Sequence, residues 1–235
     1  MCAVIGYYSK KQTKEDKELL SKLVKESKIR GLHSFGYAYK NKKNEIELKK
    51  QFTFEVEIPD TNMLIAHGRY STSGDWNEET NNQPIEYNNN YIAFNGVINM
   101  GTKKEMEEEY GIEMSSNNDA EIFLHLSKNM YSEEIIEELN CSFAGIFIID
   151  NEIYCHRNAE RPLYRAIIGN SVFIASTRDI FKRCGIDKVK PVKQDKTYKL
   201  EHLLDEDRGI QELSYPNDEK WGYRPCLFVP IVSSK

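Results

Sequence analysis

Hydrophobic and polar positions change period repeatedly along this chain. Ala3 to Tyr8 is a short apolar, partly β-branched run, which predicts a buried strand starting almost at the first residue. Lys14 to Ile29 sets Leu19, Leu20, Leu23 and Val24 near helical spacing amid charges, the pattern of an amphipathic helix. The stretches HSFGYAY (33–39) and IELKKQFTF (46–54) alternate as strands do, about a polar turn at Asn41 to Asn44. Met63 to His67 is a further apolar run. It gives way to GRYSTSGDWNEETNNQP (68–84), a polar segment with two glycines that closes on Pro84 and reads as a loop. YIAFNGVIN (91–99) returns to strand composition, interrupted by Asn95-Gly96, a dipeptide that favours a tight turn. Helices are predicted at Lys103 to Tyr110 and Ala120 to Met130, the second with Asn118 and Asp119 as candidate caps.

From Ser142 the chain is strand-rich: FAGIFIID, EIYCHR, PLYRAIIG and SVFIAS follow one another with short connectors, and Thr177 to Cys184 suits one more helix. Past Leu204 the pattern weakens, although PCLFVPIV (225–232) has the composition of a last strand or a docked extension. Two antiparallel blocks of strands separated by helices predict an α+β layered fold rather than alternating βαβ units. Without a repeat or a composition break, one domain over residues 1–235 is the economical reading, with 205–235 as a C-terminal extension.

Composition narrows the function classes. Apolar residues make up 40% and charged residues 29%, ordinary for a soluble globular protein, and a net charge of −5 argues against direct nucleic-acid binding. No apolar run approaches the roughly 20 residues that span a bilayer. The lysines of MCAVIGYYSKK follow its apolar stretch, the reverse of a signal peptide, so no membrane association and a cytoplasmic location are expected. Five widely spaced cysteines do not form a disulfide framework, and no metal-ligand spacing links the five scattered histidines. The sequence therefore predicts neither metal nor cofactor, and no nucleotide-binding glycine motif is present.

Position two carries the chemistry. An initiator methionine before a residue as small as cysteine is normally removed, which would leave Cys2 with a free α-amine of reference pKa about 7.7–8.0. Thiol and base then sit on one residue, an N-terminal nucleophile arrangement. Alone this is a weak signal, since a buried structural thiol is the commoner reason for a cysteine there.

The ordered segments MCAVIGYY, IAHGRYSTSG, YIAFNGVIN, SNNDAEIFLHL, FAGIFIID, RNAERPLY and FIAST change that balance. Together they resemble the class II glutamine amidotransferases, glutaminase domains of the N-terminal nucleophile hydrolase superfamily. That resemblance, running from Cys2 to about Arg178, implies a four-layer αββα sandwich of two stacked, mainly antiparallel sheets. It also implies an activity: Cys2 attacks the side-chain amide of L-glutamine, releases ammonia, and passes through a thioester to glutamate. Asn95 and Gly96 take the role of oxyanion donors, and Arg69 clamps the substrate α-carboxylate. Asp119 accepts its α-ammonium, while Tyr70 and Thr72 belong to the loop that covers it, with Trp76 as a possible lid contact. Against these stand plainer readings: a hairpin turn for Asn95-Gly96, a solvated surface side chain for Arg69 and a helix cap for Asp119.

Other motif residues read as structural. Arg161-Pro162-Leu163-Tyr164 suits packing and turn chemistry, Glu105 to Glu109 a solvated helix face, and Cys141, Cys155 and Cys184 incidental thiols. The chain also departs from the family pattern. Ala3 replaces the glycine after the nucleophile, Phe94 the histidine before the N-G pair, Asn158 the aspartate of R-D, and Thr177 the acid of A-S-E. About 60 residues follow the last motif, too few for a synthase domain, so a separate ammonia-accepting subunit is implied. Two other functions remain open at this stage: hydrolysis of another γ-glutamyl amide, and a catalytically silent regulatory homologue.

Overall fold

The structure, a computed structural model, describes residues 2–70, 75 and 77–206 of the chain. Its strands are β1 (Ala3–Ser9), β2 (Ser34–Lys40), β3 (Ile46–Gln51), β4 (Met63–Arg69), β5 (Ile85–Tyr87), β6 (Asn90–Val97), β7 (Ser142–Ile149), β8 (Glu152–Arg157), β9 (Tyr164–Ile168), β10 (Ser171–Ala175), β11 (Lys190–Pro191) and β12 (Tyr198–Lys199). The helices are α1 (Lys14–Ser27), α2 (Lys103–Tyr110), α3 (Ala120–Leu126), α4 (Ser132–Glu138), α5 (Arg178–Arg183) and α6 (Leu200–Glu206).

The strands form two sheets, ordered β11-β9-β10-β1-β4-β2-β3 and β12-β8-β7-β6-β5, with every pairing antiparallel. Side-chain alternation sorts the apolar residues into three layers. Val4, Ile65, Ala93, Ile146 and Ile174 pack between the sheets, where Leu200, Leu203 and Leu204 of α6 join them. On the outer face of the first sheet Ile5, Tyr7, Leu64 and Phe173 meet Leu20, Leu23 and Val24 of α1 and Ile180 and Phe181 of α5. On the outer face of the second, Ile92, Phe94, Phe143 and Phe147 meet Met106, Ile122, Phe123, Ile135 and Ile136 of α2, α3 and α4. The molecule is thus the α+β sandwich that the resemblance implies, with α1 to α5 outside and two sheets within.

Helix starts follow their local chemistry. Thr13 caps α1 and Thr102 caps α2, each in a full capping box with the acid three residues on, Asp16 and Glu105. Glu105 is therefore part of the α2 start as well as of an acidic face. The structure corrects the sequence reading in four places. Asn95-Gly96 is not a turn: both residues lie inside β6, opposite Ala144 and Phe143 of β7. The third helix stops at Leu126 rather than Met130. Helix α4 and the short α6 were not anticipated. The strand expected over 46–54 ends at Gln51. Among the described residues, no helix is long and apolar enough to cross a membrane. Cys226 and the segment 225–232 lie outside the described residues.

Candidate active site

The alternation that builds the core also builds the site. Residues 4 on β1, 65 on β4 and 93 on β6 face the space between the sheets. By period two, Cys2, His67, Arg69 and Asn95 share that face, one step nearer its open end. Cys2, Arg69 and Asn95, from three separate segments, are thereby brought together at the start of β1 and the ends of β4 and β6.

Cys2 N donates to Asn95 Oδ1 at 3.1 Å. This nitrogen is a peptide N–H when Met1 is in place and the α-amine when Met1 is removed. Because the donor fixes which end of the Asn95 amide is oxygen, Nδ2 must point the other way. Asn95 is only 4% exposed, and its Nδ2 is buried with no hydrogen-bond partner among the described residues. An unpaired buried donor costs on the order of 1–3 kcal/mol, so it marks a group held for something else.

Gly96 follows from the strand pairing. Phe143 directs both its N–H, to Asn158 Oδ1 at 3.1 Å, and its carbonyl, from Asn158 N at 2.9 Å, towards Asn158 and away from β6. Its partner Gly96 is therefore a non-hydrogen-bonded pair, and the Gly96 N–H points out of the sheet on the side away from β7. Phe94, two residues earlier, points the same way, and its N–H is taken by Gln83 Oε1 at 2.7 Å. Only glycine fits at 96: a Cβ there would fall 1.9 Å from the Ser142 carbonyl oxygen.

The Cys2 thiol lies 3.8 Å from the Tyr70 carbonyl. Burial pushes its pKa up, while the Tyr70 contact and the positive charges of the chain terminus, Arg69 and Arg30 pull it back. Tyr70 itself keeps its ring 46% exposed and stacked on His33 at 5.0 Å. Thr72 and Trp76 lie outside the described residues.

Arg69 is no solvated surface side chain, being 6% exposed. Its Nη1 donates to the Asn81 carbonyl at 2.8 Å and to Asn82 Oδ1 at 2.7 Å. Asn81 is itself tied to the segment before α3, accepting from Asn117 N at 2.8 Å and Asn118 Nδ2 at 2.9 Å. That knot links the end of β4 to Asp119. Asp119 occupies the cap position of α3 but makes no side-chain cap bond. Its Oδ2 instead accepts from Ile98 N at 2.7 Å and Asn99 N at 3.1 Å, just beyond Gly96. Burial raises its pKa and these backbone donors oppose the rise.

His67 is buried in the same layer with neither ring nitrogen in a well-formed hydrogen bond among the described residues. Burial first, then Arg69, lowers its pKa to about 3, so it stays neutral. Among the described residues, no group of three metal-binding side chains forms.

The family departures are accommodated away from the sulfur. Phe94 points to the helical side of its sheet, stacked on Phe143 at 5.3 Å, and does not face Cys2. Ala3 faces the other outer layer, opposite Gly68 of β4, where even an added Cβ would lie 3.4 Å from its methyl, an ordinary contact. Asn158 bonds the Phe143 N–H and also donates through Nδ2 to the Cys141 carbonyl, which an aspartate could not do. Thr177 precedes α5 with its hydroxyl buried and without a partner among the described residues, and nothing in the structure explains that substitution.

Sequence reasoning did not find several of the groups that hold this site. Arg30 Nε donates to the Cys2 carbonyl at 3.0 Å, and Ser176 Oγ accepts from Val4 N at 2.7 Å. Asn81, Asn82 and Gln83 sit in what reads as an undifferentiated polar loop. Arg161, read as packing and turn chemistry, reaches Ser142 Oγ through Nε at 3.2 Å and Nη2 at 3.0 Å.

Residues 67–183 match the family model of the glutamine amidotransferase domain. The matched span contains Arg69, Asn95, Gly96 and Asp119. Over that span the chain belongs to the glutamine amidotransferase domain family.

Solved structures agree in fold. A glutamine phosphoribosylpyrophosphate amidotransferase from B. subtilis, complexed with ADP and GMP, aligns over 85% of this chain and 49% of its own, at 17% identity and TM-score 0.65. A structure described as the allosteric regulatory enzyme of purine biosynthesis aligns over 83% and 46%, at 19% identity and TM-score 0.62. The amidotransferase domain here thus spans about half the length of those two proteins. A glutamine aminotransferase class-II domain protein from Silicibacter pomeroyi aligns over 83% of this chain and 93% of its own, at 12% identity and TM-score 0.53. No curated protein matches the chain by sequence.

Proposed function

We propose that this domain hydrolyses L-glutamine to L-glutamate and ammonia through a thioester on Cys2, and that the ammonia passes to a separate acceptor enzyme. The observation that carries the reading is the Cys2–Asn95 pair: one end of the Asn95 amide is engaged by Cys2 N at 3.1 Å, and the other is a buried donor with no partner among the described residues.

With Met1 removed, Cys2 N is an amine whose N–H still reaches Asn95 Oδ1 and whose lone pair can take the thiol proton. The sulfur attacks the side-chain amide carbon of glutamine, and the carbonyl π electrons move to oxygen. That oxyanion is met by Asn95 Nδ2 and the Gly96 N–H, donors fixed in place before the charge develops; one such donor is worth about 3–4 kcal/mol in related acyl transfers. Collapse expels the amide nitrogen, which takes the proton from the Cys2 ammonium and leaves as ammonia. Water then cleaves the thioester to glutamate, and the thiol is restored.

Arg69 holds the substrate α-carboxylate, with its guanidinium oriented by Asn81 and Asn82. Asp119 takes the α-ammonium, with Oδ2 anchored by Ile98 and Asn99. Tyr70 and Thr72 belong to the covering segment. A silent homologue is disfavoured because the side chains of Ala3 and Phe94 both point away from Cys2. The test is glutamate formation from glutamine by purified protein, with and without candidate acceptor enzymes. Turnover that disappears in Cys2→Ala is expected. No turnover under any of these conditions, with no labelling of Cys2 by an electrophilic glutamine analogue, overturns the reading.

A further inference from the structure

The segment that orients Arg69 is itself held from two sides, and one of its holders takes no part in the reaction above. Residues 79–84 run from the edge of the first sheet to the second. At the first sheet Lys50 Nζ, on edge strand β3, donates to the Glu79 carbonyl at 3.1 Å. At the second, Gln83 Oε1 accepts from Phe94 N of β6 at 2.7 Å. Between the two, the short 3₁₀ turn Glu79–Asn81 presents the Asn81 carbonyl to Arg69 Nη1 at 2.8 Å.

Strand register explains why the segment can lie there. Lys50 of β3 and His67 of β4 are both paired with Gly36 of β2, and directly opposed residues share a face. That face is the inner one, because Leu48 and Ala38, two residues along β3 and β2, pack into the layer between the sheets. Gly36 leaves room in this row: a Cβ there would fall 2.3 Å from the Gln83 carbonyl oxygen. The segment thus passes over a glycine with the half-buried Lys50 beside it. Burial lowers the Lys50 pKa, and the carboxylates of Glu79, Glu86 and Glu121 oppose that shift. An ammonium placed among these carboxylates and one carbonyl has little reason to swing back into water.

We propose that Lys50 is a positioning residue for substrate binding: by fixing the Glu79–Asn81 turn from outside the site, it aims the Arg69 guanidinium at the substrate α-carboxylate. The proposal rests on the clamp role given to Arg69 above, but its test does not need glutamine turnover. L-Glutamate, which carries the same α-carboxylate as glutamine, is titrated as a protectant of Cys2 against iodoacetamide. Alkylation is followed by peptide mass spectrometry in the natural protein, Lys50→Met and Lys50→Arg. Methionine keeps an apolar stem of similar length and loses the donor; arginine keeps both donor and charge.

Lys50→Met is expected to raise the half-protecting concentration of L-glutamate about tenfold, while the alkylation rate without glutamate stays unchanged. Lys50→Arg is expected to restore most of the protection. Equal protection in Lys50→Met and the natural protein overturns the proposal, as does no protection of the natural protein at all. So does an alkylation rate without glutamate that changes in step with the loss, the mark of a merely structural role, or a Lys50→Arg protein no better protected than Lys50→Met. If protection weakens as expected while glutamine is not hydrolysed, the proposed activity fails and the role of Lys50 stands.

Discussion

The two ends of β1 carry polar groups of opposite design. At its C-terminal end Asp16 is buried under a closed network. It accepts from Thr13 N at 2.9 Å, Ser171 Oγ at 2.8 Å and Tyr7 Oη at 3.2 Å, and Ser9 Oγ lies 2.8 Å from Ser171. At the N-terminal end, around Cys2, several buried polar atoms have no hydrogen-bond partner among the described residues: Asn95 Nδ2, Arg30 Nη2 and both nitrogens of His67. The first end ties α1 to the sheet. The second gives up that stabilisation and keeps its donors free. Size of opening does not separate the two ends, because a cleft of about 590 Å³ lies at the Thr13 and Asp60 end. There Asp60 is paired by Lys17 and Lys42, although Gln12 Nε2 on the same wall is buried with no partner among the described residues.

The contrast can be broken by substitution at either end. Cys2→Ala should lower glutamine hydrolysis by at least about 10⁴-fold while leaving the thermal midpoint unchanged or raised. A fall in stability matching the fall in rate would count against it. Asn95→Ala should cost roughly 10²–10³ in kcat with little effect on KM; steady-state kinetics would contradict the oxyanion role if KM alone rose. At the closed end, Asp16→Ala should do the reverse, losing roughly 2–3 kcal/mol in urea unfolding through the orphaned partners of its carboxylate while kcat holds. A loss of kcat there without a loss of stability would undo the division between the ends.

Two smaller effects sharpen the comparison. His67 and His156 have pKa values lowered to about 3 and about 4, in both cases first by burial. Both are neutral when folded, and the unfolded chain takes up their protons nearer pH 6.5. Their contribution is therefore complete above about pH 6.5 and is lost as pH falls towards 4, by at most about 1.4 kcal/mol per pH unit for each histidine. Urea midpoints measured from pH 7.5 to 4.5 should fall accordingly, and a flat profile would contradict the buried neutral state. Smallest of all, Phe94→His should change kcat less than about threefold, because that ring packs on Phe143 on the far side of the sheet. A large change in kcat would mean that position 94 does reach Cys2.

How far the sequence revealed this architecture depends on the range of the forces involved. Strands such as Ala3–Ser9 and Met63–Arg69 were readable because their apolar runs are local and the sheets bury them on both faces. Asn95-Gly96 misled because its turn propensity is also local, whereas its place in β6 is decided by pairing with Ala144 and Phe143, almost 50 residues away. Cys2, Arg69, Asn95 and Asp119 were legible through motif order, and the chain does gather the first three at one end of the sandwich. Arg30 was not, because in the charged run KESKIRG nothing distinguishes it from a solvated helix end. Its meaning comes from a contact with Cys2, 28 residues away. Helix α4 was hidden for a related reason: its two buried isoleucines, Ile135 and Ile136, are too few to set a period.

The central claim is that Cys2 is the attacking group and that its own nitrogen is the base. It is tested most directly by intact and peptide mass spectrometry of the protein after brief exposure to an electrophilic glutamine analogue, with hydrolysis of glutamine followed in parallel. The account predicts a single adduct on Cys2, in chains that lack Met1, and loss of hydrolysis in proportion to labelling. Hydrolysis that survives full modification of Cys2, or that proceeds at full rate in chains retaining Met1, would contradict it.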